Sequence, residues 1–302
     1  MAWNDPLTTH LLDFLFELER NGLKTPLTIA GGFGLFLKRR YLTERKDRTL
    51  FNDITSTRAT EDIDIVIPVD ILCDRQQTQS VVDALHCLNY DAIDNWKYTQ
   101  WVKSIELGGQ AGHIKIDLLV GNVDAYQKDL HIKKPRARNP HVEGFHARIT
   151  PEAFLIDEKA LEIPLVGKRS NGEEYETTVR IPHSFTYLLM KLFAFRDRQN
   201  DSDKQQGSHH AFDIFSIIGT LTEHELNEAI ELGKNDTQEP IIQEAKQIVK
   251  EYFTGTSPKG MIAIKTSPLF QGFDVGHYDE FMKTLLEIFG VIAQAQNVPE
   301  RS

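Results

Sequence analysis

"TEDIDIVIP", residues 60–68, is the stretch whose reading decides the fold. Ile63, Ile65, Val66 and Ile67 form an apolar run of the kind that makes a buried strand. Asp62 and Asp64 interrupt it, one residue apart. Side chains alternate along a strand, so these two carboxylates share one side of it. Carboxylates at the mouth of a buried strand carry a desolvation cost unless a positive charge meets them. The stretch therefore predicts a strand and, beside it, a cation.

The sequence around it reads as mixed α and β. "DPLTTHLLDFLFELERNG" (5–22) predicts a helix with Asp5 as cap, Pro6 in the first turn and Gly22 as the stop. "LTIAGG" (27–32) is a short strand ending in two glycines, and "GFGLFLKRRYL" opens a helix at them. "QQTQSVVDALHCLNY" has helical spacing. "KSIEL" and "HIKIDLLVG" predict two more strands, the second apolar at alternate positions and carrying Asp117. "ALEIPLV" and "YETTVRIP" flank an Asn171–Gly172 turn signal and predict a hairpin near 160–181. After Pro182 five segments have helical spacing: "HSFTYLLMKLFAFRDR", "HHAFDIFSIIGT", "TEHELNEAIELG", "EPIIQEAKQIVKEYFT" and "HYDEFMKTLLEIFGVIAQ". The expected fold class is α+β. A mixed sheet with flanking helices occupies 1–181, and a helical domain occupies 182–302.

The bulk properties narrow the function. The chain has 302 residues, 40% hydrophobic and 26% charged, as in a globular protein. No apolar run is long enough to span a bilayer. The first residues lack the basic and apolar regions of a secretory signal, and two cysteines, Cys73 and Cys87, make no disulfide framework. A reduced, cytoplasmic setting without membrane contact is the expectation. A net charge of −10 argues against general, charge-driven nucleic-acid binding. The charge is uneven, however. Residues 31–60 hold seven Lys or Arg against three acids, and residues 128–148 hold six against two. Each run is either a solvated face or a local site for a polyanion.

Four features fall in order along the chain. Gly31–Gly32 lies at a strand-to-helix junction, where glycine permits close backbone approach and the helix N-terminus favours a phosphate. Asp62 and Asp64 come next. Asp117 follows on another strand. Three carboxylates on neighbouring strands suit two divalent ions about 4 Å apart, and hard oxygen ligands with phosphate substrates point to Mg²⁺ or Mn²⁺. Finally Lys191 and Arg198, seven apart in "KLFAFRDR", lie two turns along one helix face, placed to reach a triphosphate across a cleft. Each feature has a plainer reading: a turn for the glycines, a solvated stem for Lys191, a helix-surface pair for His209 and Asp213. Order and strand context together favour a site.

That order resembles the nucleotidyltransferase fold of the DNA polymerase β type. More closely, residues 27–220 resemble the AbiEii/AbiGii-type nucleotidyltransferases, several of which are toxins of bacterial toxin–antitoxin systems. The matching motifs are "IAGGFGLFL", "TEDIDIVI" with Thr60 at the family's Ser position, "KLFAFRDR" and "DSDKQQGSHHAFDIF". The resemblance implies Asp62, Asp64 and Asp117 as metal ligands, Gly31, Gly32, Thr60 and Arg198 in nucleotide binding, Lys191 as the nucleotide-contacting lysine and Asp213 as the late acidic residue. It implies transfer of an NMP from an NTP to a hydroxyl of RNA (transfer RNA included), protein or a small molecule, and a cognate antitoxin as partner. Two departures stand out. The Gly-Gly to D-x-D spacing is long, through a basic insertion at 38–58, and His209–His210 replace the usual basic residue and acid ahead of Asp213. A metal-dependent glycosyltransferase and a non-catalytic nucleotide-, RNA- or protein-binding module are the alternatives.

Overall fold

The computed structural model describes residues 5–23, 26–51, 60–93, 98–107, 110–201, 204–235, 239–255, 258–270 and 273–292. Its contacts divide the chain into two units, Met1–Tyr41 with Ala59–His183, and Leu42–Arg58 with Ser184–Ser302. Segment 42–58, which a single cut at 181 would leave in the first unit, is grouped with the second.

The first unit holds a ten-stranded mixed sheet. Helix α1 (Pro6–Arg20) is capped as its sequence predicts. Asp5 Oδ1 accepts from the Thr8 amide at 2.9 Å, Pro6 sits in the first turn, and Gly22 ends the helix at φ +88°. Strand β1 (Thr28–Ala30) runs straight into α2 (Gly31–Arg45). Strand β2 (Asp62–Val66) precedes helices α3 (Val69–Cys73) and α4 (Arg75–Cys87). Strands β3 (Asp91–Ala92), β4 (Gln100–Leu107) and β5 (Gln110–Val120) follow, and β4 and β5 form an antiparallel pair. Then come three short strands, β6 (His131–Lys133), β7 (Arg136–Arg138) and β8 (Ala147–Ile149), and the hairpin β9 (Leu161–Lys168) and β10 (Glu174–Ile181).

The main path of the sheet is β6-β7-β8-β5-β2-β1-β10-β9, with β4 on β5 and β3 on β4. Strand β2 is antiparallel to β1 and parallel to β5. Burial follows strand alternation. Ile63, Ile65, Ile114, Ile116, Leu118 and Val120 are buried, while Asp62, Asp64, Lys115, Asp117 and Leu119 between them are only half-buried. One face of the central strands is thus core, and the other is polar. Helix α1 packs on α4, β9 and β10, and the β9–β10 turn is tied to it by the Ser170 amide donating to Asp13 Oδ1 at 3.1 Å.

The second unit is helical: α5 (Ser184–Arg198), α6 (Lys204–Gly219), α7 (Glu223–Asn235), α8 (Pro240–Phe253), α9 (Lys259–Thr266) and α10 (Val275–Phe289). Its core is aromatic. The Phe215 ring lies 5.0–5.9 Å from those of Phe51, Phe212, Phe270, Phe273 and Phe281. Offset and edge contacts of this kind add about 0.5–1.5 kcal/mol each beyond area burial. Segment 42–58 joins this core through Phe51, and the amides of Leu50 and Phe51 donate to the carbonyls of Leu221 and Gly219, both at 2.9 Å.

The α+β class holds. The five expected C-terminal helices are present, and α9 is a sixth among the described residues. Strands β6–β8 had no counterpart in the sequence reading, because each is three residues long in a charged stretch. Residues 52–58 of the basic insertion lie outside the described residues.

Candidate active site

The site is built on the polar face of the first unit. Asp64 and Asp117 are register partners on the parallel strands β2 and β5, and Asp62 pairs in the same way with Lys115. Register partners in a sheet project to the same face, so the three carboxylates and Lys115 share one. The row through Asp64 continues on both sides. Ala30, the last residue of β1, pairs with Asp64, and Gln100 of β4 pairs with Asp117. Ala30, Asp64, Asp117 and Gln100 therefore form a line across four adjacent strands.

Gly31 follows Ala30 and opens α2 against this row. Its φ is +65°, and a Cβ at that position would meet Asp64 Oδ2 at 1.7 Å. Only glycine permits both the conformation and the contact. The carboxylate of Asp64 therefore lies against bare backbone where α2 begins, and a helix N-terminus favours negative charge. Gly32 is buried in the next position. Thr60 lies just ahead of β2, and its Oγ1 accepts from the Asp62 amide at 3.3 Å. Its hydroxyl organises the start of the strand in this structure.

The electrostatics single out Asp117. Burial, then the charges of Asp64 and Asp62, push its carboxyl up to about 7, against the opposing pull of a hydrogen bond from Gln100 and the charge of Lys115. Asp117 Oδ1 and Asp62 Oδ1 are shielded from solvent without a hydrogen bond. Lys115 Nζ lies 3.5 Å from Asp62 Oδ1, an ion-pair distance without hydrogen-bond alignment, and both side chains are more than a third exposed. An exposed pair of this kind contributes little stability.

The donor set suits a hard divalent ion, being all carboxylate oxygen. Two of its oxygens have no hydrogen-bond donor, and Gly31 leaves Asp64 the room that a side chain would take. As they stand, however, the side chains do not close into a ready cage: among the described residues, no group of three His, Cys, Asp or Glu is gathered tightly enough to hold a metal ion. The carboxylates fit such an ion in chemistry and in shared face, and binding requires them to turn toward one another.

The second unit gathers the other expected residues differently. Lys191 on α5 and Asp213 on α6 form a buried ion pair, Nζ to Oδ2 2.6 Å, with side chains 8% and 6% exposed. This corrects the reading of Lys191 as a solvated stem and of Asp213 as half of a surface pair with His209. Packing of α5 against α6 buries that stretch of both helices and turns two surface charges into an internal pair. Arg198, two turns along α5, is half-buried. Gln100 and Lys115 were not singled out from sequence. The i, i−2 spacing of Lys115 from Asp117 was visible, but Gln100 gains its place only through β4–β5 pairing.

No protein-family model matches the chain, and no curated protein matches it. Among the described residues, no helix is long and apolar enough to cross a membrane.

Proposed function

We propose that the chain is a metal-dependent nucleotidyltransferase, moving an NMP from an NTP to a hydroxyl acceptor in a reduced, cytoplasmic setting. The observation that supports this reading most is the register pairing of Asp64 with Asp117, with Asp62 on the same face and Gly31 pressed against Asp64. Asp62, Asp64 and Asp117 would hold Mg²⁺ or Mn²⁺. Such an ion, when bound, supplies Lewis-acid neutralisation of triphosphate charge. The start of α2 offers its amide dipoles to phosphate. Asp117, whose carboxyl is pushed up to about 7, takes the proton of the acceptor hydroxyl, and Gln100 holds it in orientation. The acceptor oxygen bonds to the α-phosphorus, the bond from that phosphorus to the bridging oxygen breaks, and pyrophosphate leaves. Catalysis of this type is positioning and charge neutralisation.

Lys191 is assigned to the stability of the helical unit, since Asp213 already answers its charge. The motif resemblance alone extends the proposal to the toxin of a toxin–antitoxin or phage-defence system with a cognate antitoxin. The test is incubation with α-labelled NTPs, Mg²⁺ and total RNA or lysate, beside Asp64→Asn. Label on a macromolecule with wild type and none with the variant is the expected result. No transfer with any NTP, together with no NTP-dependent thermal shift, overturns the proposal and leaves a binding module on the same fold.

A further inference from the structure

Three cations of the basic stretch 128–148 lie on the same sheet face as the carboxylates. Leu119, two residues beyond Asp117 on β5, pairs with Arg148 of β8. Arg148 pairs with Arg136 of β7, and Arg136 pairs with Lys133 of β6. Partners in register share a face, so Arg148, Arg136 and Lys133 form a row continuing outward from the carboxylate face. Burial agrees with this assignment. Ala137, Ala147 and Ile149 on the other face are buried, while Lys133 and Arg148 are exposed and Arg136 is half-buried. Among the described residues, none of these three cations has an acidic partner within ion-pair distance. Arg136 and Arg148 stand directly opposite each other with like charge, an arrangement that disfavours the folded sheet. Their neighbours are differently occupied. Arg138 Nη1 donates to the carbonyls of Asn139, Pro140 and Val142 at 3.0–3.4 Å, and Lys134 lies 3.8 Å from Asp124.

An aromatic pair lies beside this row. Tyr98, just before β4, is 36% exposed, and its ring is 5.8 Å from that of His146, just before β8. The His146 amide donates to the Tyr98 carbonyl at 3.2 Å, which fixes the two segments together. Strand β4 brings Tyr98 to within two residues of Gln100, and β8 brings His146 to within two of Arg148.

We infer that this face binds a single strand of nucleic acid, its phosphates along Lys133, Arg136 and Arg148 and a base on Tyr98. A basic track with an exposed aromatic ring beside it is the general solution for single strands. Three strand spacings of about 4.8 Å carry the row about 14 Å from β5, the rise of about four nucleotides. The track leads to Asp117, so the strand's terminal hydroxyl is the acceptor. Only that last step rests on the transferase reading, and the surface itself does not.

The experiment is fluorescence anisotropy with a labelled oligoribonucleotide of about twelve nucleotides, in EDTA and without NTP, across a salt series. Wild type binds with an affinity that falls linearly in log–log form. Arg136→Ala/Arg148→Ala lowers affinity roughly tenfold at low salt and flattens the slope by about 1.4, or 0.7 for each phosphate of a single strand that is no longer neutralised. Tyr98→Ala weakens binding about fivefold or more with the slope unchanged. Thermal melts accompany the series, and the double arginine variant keeps or gains melting temperature. The inference is overturned by salt-independent or absent binding in wild type, by an unchanged slope in the double variant, by a fall in that variant's melting temperature, or by polyglutamate competing as well as RNA. Metal and NTP are absent, so failure here leaves the transfer chemistry untouched. Binding without any later transfer leaves this surface standing alone.

Discussion

At Asp117 a carboxylate is held where its charge is least welcome, and stability should record it. An aspartate in the unfolded chain titrates near 3.9, while in the fold burial and the charges of Asp64 and Asp62 push it up to about 7. Between those values the folded protein keeps a proton that the unfolded chain has lost. Stability therefore falls as pH rises through the window and levels off above it. Asp117→Asn removes the effect. It is expected to match wild type at pH 4 and exceed it at pH 8, by an amount on the order of 4 kcal/mol, checked by urea unfolding at both pH values. Equal stability at pH 8 would remove the strain from this site. Gly31 gives a second test against Gly22, which also has positive φ but open space around a Cβ. Gly22→Ala is expected to cost about 1 kcal/mol, and Gly31→Ala about 2–4 kcal/mol through the added clash with Asp64. Equal losses in thermal melts would deny the close approach. The carboxylates were legible in sequence because alternation along each strand is local. Their place on neighbouring strands was expected from the order of the motifs, but the register that sets Asp64 opposite Asp117 was not, since β2 and β5 are some fifty residues apart and nothing local sets it.

The helix pair α5–α6 shows the converse, where local pattern misleads. Lys191 in "KLFAFRDR" follows the spacing of an exposed stem, yet packing seals it against Asp213. An exposed lysine would be dispensable. Removing one member of a buried pair instead leaves the other uncompensated, at a cost of about 3–5 kcal/mol. Lys191→Ala is expected to lose that much in denaturant unfolding, and Lys191→Met/Asp213→Leu to recover most of it. A single variant as stable as wild type would return the lysine to solvent. The hairpin β9–β10, by contrast, was readable, because Asn171–Gly172 sets the turn and Gly172 takes the positive φ it requires. Strands β6–β8 were hidden by their brevity. Three residues declare a strand only when they are buried throughout and apolar in context, as in β1, whereas the charges that define the open face of β6–β8 read as a solvated loop.

For the molecule as a whole, ligand binding should couple to folding. Mg²⁺ with an NTP at a hundredfold excess over its dissociation constant is expected to stabilise wild type by about 2.7 kcal/mol. Asp64→Ala abolishes the shift, and a shift equal in both proteins would remove Asp64 from the site. The sequence showed a sheet-bearing half followed by a helical half, because strand signals fade after Pro182. It did not show that the second unit reaches back to 42–58, since that polar stretch has little apolar content to betray its destination. That return has a practical consequence for anyone dissecting the protein. Phe51 is 4% exposed and packs on Phe215, while Leu50 and Phe51 hydrogen-bond the backbone at the end of α6. A fragment starting at residue 184 leaves behind the chain that seals its own aromatic core. It should express as a sticky, poorly cooperative species, and a separately supplied peptide spanning 42–58 should restore a sharp melt. The gene for the helical half is thus written in two pieces, with most of the sheet between them.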